Sequence, residues 1–422
     1  MQPSFTSFAG RRRPAPARAP RPSRRRVVAL ALVGGVLAGV ATPAATAAEG
    51  ATTDRVSAQE NAVCRLGWTQ TAAPRFGPGG GLLSGIDARD ASDAWAVGAL
   101  ANVNTRKENA AAVRWDGSSW NRVRTPRRGI AESLSDVDTF GRRSAWAVGS
   151  YQRLDPETRR VDLRTHVLRW NGSKWSVVSS PNAGATPNGG LEGVAHVGSN
   201  RAFAVGWSGD PNPRSLILRW NGSSWSRMKH PQVQQPEVYL HAVDGSGPND
   251  VWAVGYTNDP KGLRRTLAMH YDGRAWRVVR TPNPSSTDNV LEDVVVVGPT
   301  EAWAVGWSAN GPITMRWDGT RWTRLRENET GKGDTHFGVD ATRSERIMIA
   351  GRALVPSENG RKVTGMVQRW NGSSWSTSRQ GRLTADDIYL DDVAVTSTRQ
   401  WAVGSFAPDG VERPWIQHRC SG

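Results

Sequence analysis

Four side chains able to exchange protons recur at one register of a repeated phrase. Glu192, His241, Glu292 and Asp391 each follow a Leu, in Leu191-Glu192-Gly193-Val194, Leu240-His241-Ala242-Val243, Leu291-Glu292-Asp293-Val294 and Leu390-Asp391-Asp392-Val393. Carboxylates gathered at the mouth of an axial channel could serve glycoside hydrolysis or lyase chemistry, one protonating a leaving oxygen while another acts as base or nucleophile. The same residues could equally line a hydrated channel. A second set is aromatic: Trp207, Tyr256 and Trp307 each follow the Gly of a second repeated phrase, where the other copies have Ala99, Ser150, Arg352 and Ser405. A ring at a strand end can stack on a sugar face or anchor a protein partner, or pack beneath its own loop. The sequence offers little else of this kind. Its seven His are scattered without zinc spacing, and no nucleophile elbow or phosphate loop is present, so no metal and no cofactor is expected.

The elements that must position these residues are strands. Trp-Ala-Val-Gly, or a variant of it, begins at Trp95, Trp146, Phe203, Trp252, Trp303, Met348 and Trp401, spanning 306 residues in six steps, a mean period of 51. Each copy is preceded by the Leu-x-x-Val phrase and followed, after a loop of variable length, by a hairpin such as Trp115-Asp116-Gly117-Ser118-Ser119-Trp120 or Trp170-Asn171-Gly172-Ser173-Lys174-Trp175. Asp-Gly and Asn-Gly suit a two-residue type I′ turn, and that demand accounts for the Asn-Gly-Ser acceptor patterns at Asn171, Asn221 and Asn371. Four antiparallel strands per unit, a period near 50 and no helical periodicity predict an all-β, seven-bladed propeller of four-stranded blades. The 20 Trp fall mostly at fixed repeat positions and are expected to pack blade against blade.

The ends complete the count. The last unit stops after three strands at Cys420, whereas Trp68 to Pro74 reads like a fourth strand without its predecessors, so N-terminal and C-terminal strands should share one blade. Both cysteines, Cys64 and Cys420, then occupy the register of the missing Asp-Gly turn and are expected to form a disulfide, in keeping with an oxidising compartment. Residues 1–48 read as an export signal: Arg-rich start, apolar run from Val27 to Ala41, small residues near Ala48. Ser23-Arg24-Arg25-Arg26-Val27-Val28 is similar to a twin-arginine signal, with Sec export as the alternative. Residues 49–63 read as a flexible leader and residues 64–422 as one propeller domain. The formal charge of +16 includes eight Arg and no acid in the first 48 residues. The basic loop residues that remain are interleaved with acids, unlike a nucleic-acid interface. No nucleic acid and no transmembrane segment is expected, and the secreted chain should be a monomer.

On these phrases the chain resembles secreted bacterial propellers with Trp-Ala-Val-Gly and Trp-Asp-Gly-Ser-Ser-Trp repeats, distantly similar to kelch and Asp-box propellers and to seven-bladed bacterial lectins. Those lectins bind sugars between blades, and the motifs are specific for the fold, which can host many functions. With variation concentrated in the loops of one face, the function expected is non-catalytic recognition of a glycan or an extracellular protein. The alternative is an extracellular polysaccharide-active enzyme using the channel-mouth carboxylates.

Overall fold

The computed structural model describes residues 67–420, apart from short loop stretches, and places them in 28 strands with no helix. The export signal, the leader and Cys64 lie outside the described residues. Seven four-stranded antiparallel sheets follow one another around an axis. Blade one comprises Gly81–Asp90, Asp93–Asn102, Lys107–Trp115 and Trp120–Arg122, and the next five blades repeat that order. Blade seven is composite: Ile388–Val395, Arg399–Phe406 and Arg413–Cys420 are completed by Thr69–Gln70. Thr69 pairs with His418 and Gln70 with Gln417, so the two ends of the chain share a sheet as the repeat count requires.

Trp residues form the joints. The Trp of one blade's second strand sits between the two hairpin Trp of the next: Trp95 lies 4.9 Å from both Trp170 and Trp175, and Trp146 lies 5.0 Å from Trp220 and 5.2 Å from Trp225. Such edge-on geometry suits the ring quadrupole and fills the wedge between two twisted sheets. The ring closes the same way, with Trp401 of blade seven packed with Trp115 and Trp120 of blade one.

The hairpin turn differs from the two-residue type I′ expected. Trp115 pairs with Trp120 across a four-residue loop, and among its residues only Gly117 has positive φ. The Asp works through its side chain instead. Asp116 Oδ1 accepts the amides of Ser118 and Ser119, each at 2.9 Å, and Asn171 does the same for Ser173 and Lys174 at 3.0 Å. An Asx-type cap therefore explains why Asp and Asn interchange here.

Each first strand carries a bulge directly after its repeated Leu or His, at Ser84, Ser135, Glu192, His241, Glu292, Phe337 and Asp391. The bulge presses a carbonyl toward the second strand. A Cβ on Gly98, Gly149 or Gly206 would come within 2.1 Å of the oxygens of Leu82, Ser133 and Gly190. That close approach fixes the Gly of Trp-Ala-Val-Gly.

Buried and half-buried carboxylates stitch the first strands together. Asp136 Oδ2 accepts the Val194 amide at 2.8 Å, Asp244 that of Val296 at 2.6 Å, Asp340 that of Val395 at 2.6 Å and Asp392 that of Ile86 at 2.9 Å, each bond crossing to the following blade. Burial, and then mutual repulsion, pushes several of these acids up: Asp244 to about 6, Asp340 to about 8 and Asp138 well above the usual carboxylate range.

Candidate functional site at the variable face

The loops between second and third strands and those between blades emerge together, opposite the Asp-Gly turns. At this end the two candidate sets, acids and aromatics, meet. The residue following the second-strand Gly pairs across the ladder with the residue two before the bulge: Gly190 with Trp207, Tyr239 with Tyr256, Val290 with Trp307. The bulge carries the acid or imidazole on the same strand end.

The side chains link into one chain of contacts across blades three to five. Trp207 Nε1 donates to Glu192 Oε1 at 3.2 Å. The Trp207 ring lies 5.9 Å from Tyr239, which stacks on Tyr256 at 5.1 Å. Tyr256 is edge-on to His241 at 5.4 Å, and His241 Nδ1 stands 2.8 Å from Glu292 Oε2. Glu292 Oε1 in turn accepts the Trp307 indole N–H at 2.8 Å. The Arg264 guanidinium lies over Tyr256 at 5.3 Å and Trp307 at 5.7 Å, a placement that aromatic quadrupoles favour.

Burial grades the set. Trp307 is 6% exposed and Tyr256 8%, both packed with Val290. Trp207 and Tyr239 are half-buried. Glu192, His241 and Glu292 are buried.

Asp391 stands apart, in a second group on blades six and seven. It is ion-paired with Arg352, and the Arg352 guanidinium lies between Phe337 at 4.2 Å and Tyr389 at 4.8 Å. Sequence reasoning missed Tyr239, Arg264, Arg352, Phe337 and Tyr389. Two carried a readable signal, because Tyr239 and Tyr389 directly precede the repeated Leu240 and Leu390. Arg264 comes from the variable loop end and had none. Among the described residues no group of three or more His, Cys, Asp or Glu is placed to hold a metal, and no helix is long and apolar enough to cross a membrane.

No family model matches this sequence, and no curated protein is significantly similar to it. Solved structures share the fold at low identity. A YCF48 protein bound to a D1 peptide is 13% identical with a TM-score of 0.54, covering 84% of this chain and 95% of its own. A family PL25 polysaccharide lyase, an ulvan lyase bound to -[GlcA(1-4)Rha3S]-, is 9% identical with a TM-score of 0.51, covering 84% and 94%. A protein of unknown function from Dyadobacter fermentans is 10% identical with a TM-score of 0.50, covering 85% and 99%. These likenesses establish the propeller. Of these neighbours one binds a peptide and one acts on a polysaccharide, and the fold accommodates both.

Proposed function

We propose that the chain is an exported binding propeller whose variable face recognises a glycan. The observation that carries the reading is the continuous contact chain from Trp207 through Tyr239, Tyr256, His241 and Glu292 to Trp307. Half-buried rings of Trp207 and Tyr239 offer apolar faces for the C–H face of a sugar, while buried Glu192 and Glu292 hold the indoles through their N–H groups. Small residues on the opposite blades one and seven, Ala99 and Ser405, occupy the register that the aromatics fill here. A rigid aromatic wall facing small side chains suits an extended ligand lying across the mouth. Residues 1–48 would direct export, and a bond between Cys64 and Cys420 would clasp the composite blade outside the cytoplasm.

The test is a glycan array with the mature chain, followed by titration of any hit against Trp207→Ala and Tyr239→Ala. The reading requires at least tenfold weaker binding by either variant with the melting temperature little changed. Retained binding in both variants, or an array blank at millimolar ligand beside a stably bound protein partner, would refute it. A catalytic reading rests on one feature, the 2.8 Å contact of His241 with Glu292, a base poised by a carboxylate. Turnover of a bound polysaccharide, lost in His241→Gln, would establish it.

A further inference from the structure

The opposite face, where the Asp-capped turns lie, carries a second kind of joint. In blade one the second-strand Trp95 pairs across the ladder with Arg114. That guanidinium lies over Trp95 and over the next blade's Trp170, at 5.4 and 5.7 Å, and its Nε donates to Asp93 at 2.8 Å. The same lock recurs elsewhere. Arg316 pairs with Glu301 and lies over Trp303, and His270 contacts Asp250 and lies against Trp252. Each of these three side chains thus has an aromatic face and a carboxylate.

At the joint of blades six and seven every partner in the lock is replaced. The cation persists as Arg369, but the Trp opposite it is Met348. The acid position, two residues before that phrase, holds Arg346 instead. The first hairpin Trp of the following blade is replaced by Arg419, which pairs with Gln400 as Trp115 pairs with Ala94. Three arginines therefore occupy the registers where the joints that follow blades one and five each hold one cation, one anion and two rings. None of the three makes an ion pair among the described residues; the only side-chain bond is from Arg419 Nε to the Cys420 carbonyl, at 3.2 Å. Burial and then the charge of Arg346 lower Arg369, and burial and then the charge of Arg369 lower Arg419. All three are half-buried, and guanidinium stays protonated even so.

Like charges held together without counter-charge are unfavourable unless something negative joins them. Arginine forks match the oxygens of tetrahedral anions. We propose that Arg346, Arg369 and Arg419 form an oxyanion site for a sulfate- or phosphate-class group, either the free ion or an ester on a larger molecule. Trp68, whose position corresponds to the second hairpin Trp, packs against the cluster that contains Met348. The site is on the face away from the proposed glycan mouth and does not depend on it.

The test uses the full mature chain in sodium sulfate, sodium phosphate and sodium chloride at matched ionic strength, read by thermal unfolding and titration calorimetry. The site requires a saturable rise in melting temperature with sulfate or phosphate that chloride does not give. Binding should weaken at least tenfold in Arg369→Gln and in Arg419→Gln, but not in the control Arg316→Gln. Both test variants should fold, because each removes like-charge repulsion, and in chloride should melt no lower than wild type. A sulfated oligosaccharide and its desulfated counterpart separate the sources: binding by the sulfated form alone assigns an ester, and response to the free ion alone assigns the ion. A rise linear in sulfate and equal in wild type and variants would be a general salt effect and would overturn the proposal, as would the absence of any heat.

Discussion

Replacing Asp340 by Asn should stabilise the propeller at neutral and alkaline pH. Asp340 Oδ2 accepts the Val395 amide of the next blade at 2.6 Å and its Oδ1 the Ala341 amide at 2.7 Å; Asn Oδ1 can keep the first of these bonds and gives up the second. Burial first, then the charges of Asp87 and Asp244, push the Asp340 carboxyl up to about 8 against the bonds from Val395 and Ala341. An unfolded Asp titrates near 3.9. Between these values the folded chain holds a proton that the unfolded chain releases, so this residue's contribution falls as pH rises from about 4 to about 8. At about 1.4 kcal/mol per pH unit the loss approaches about 4 kcal/mol at pH 7. Asp340 is half-buried and Asn gives up the Ala341 bond, so about 2 kcal/mol is the expected gain for Asp340→Asn at pH 7.5, or several degrees in melting temperature. Near pH 4 the variant and wild type should coincide. Thermal unfolding from pH 4 to 8.5 gives the comparison. A variant destabilised equally at every pH would refute the reasoning, since it would mean that the ionised carboxylate is a favourable partner of the amide.

Trp322, 4% exposed and 5.0 Å from Trp252, should cost about 3–5 kcal/mol on truncation to Ala, as buried aromatics do; chemical denaturation checks this, and a smaller loss would remove the hairpin Trp from the blade joint. Cys64→Ser or Cys420→Ser should lower the melting temperature of the exported protein, and non-reducing peptide mapping of wild type should recover one linked pair; two free thiols would defeat the clasp. Trp207→Ala should leave stability within about 1 kcal/mol of wild type, because its ring is half-buried, while ligand affinity falls at least tenfold. An affinity equal to wild type would move recognition away from this ring.

The fold was legible because its determinants are local and repeated. A Trp spaced by a four-residue Asp-Gly loop, and a Gly that no Cβ could replace opposite a bulge, recur in nearly every blade, and their period counts the blades. The composite blade was legible for the same reason, as one strand too few at Cys420 and one too many at Trp68. What the repeats could not disclose was bonding between blades. Asp136, Asp244, Asp340 and Asp392 lie at two registers of the first strand, and each accepts an amide some 50 residues or more away in sequence, on a neighbour whose own register varies. The turn chemistry was misread because Asp-Gly supports both a two-residue turn and an Asx-capped four-residue loop, and only the pairing of Trp115 with Trp120 separates them. The arginine triad was invisible for a different reason: its members substitute three separate repeat positions, which become one feature only when blade six meets blade seven.

At the mouth, the acids and aromatics read as rival candidates prove to be parts of one arrangement. The bulge places Glu192 and Glu292 where their oxygens meet the indole N–H groups of Trp207 and Trp307, rings introduced from the next strand at the paired register. An acceptor held by an indole fixes the rotamer of both groups, so these two blades hold rigid rings without help from the variable loops above them. Blade four uses the same positions differently: His241 and Tyr256 contact each other edge-on, and His241 turns instead to Glu292 of blade five. Blade four is thereby tied to blade five through a side chain at the mouth, whereas the main-chain stitch between them is Asp244 to Val296 at the far end of the strands. Under the glycan reading proposed above, rings held in this way would lose little further freedom when a ligand arrives, and such pre-organisation raises affinity.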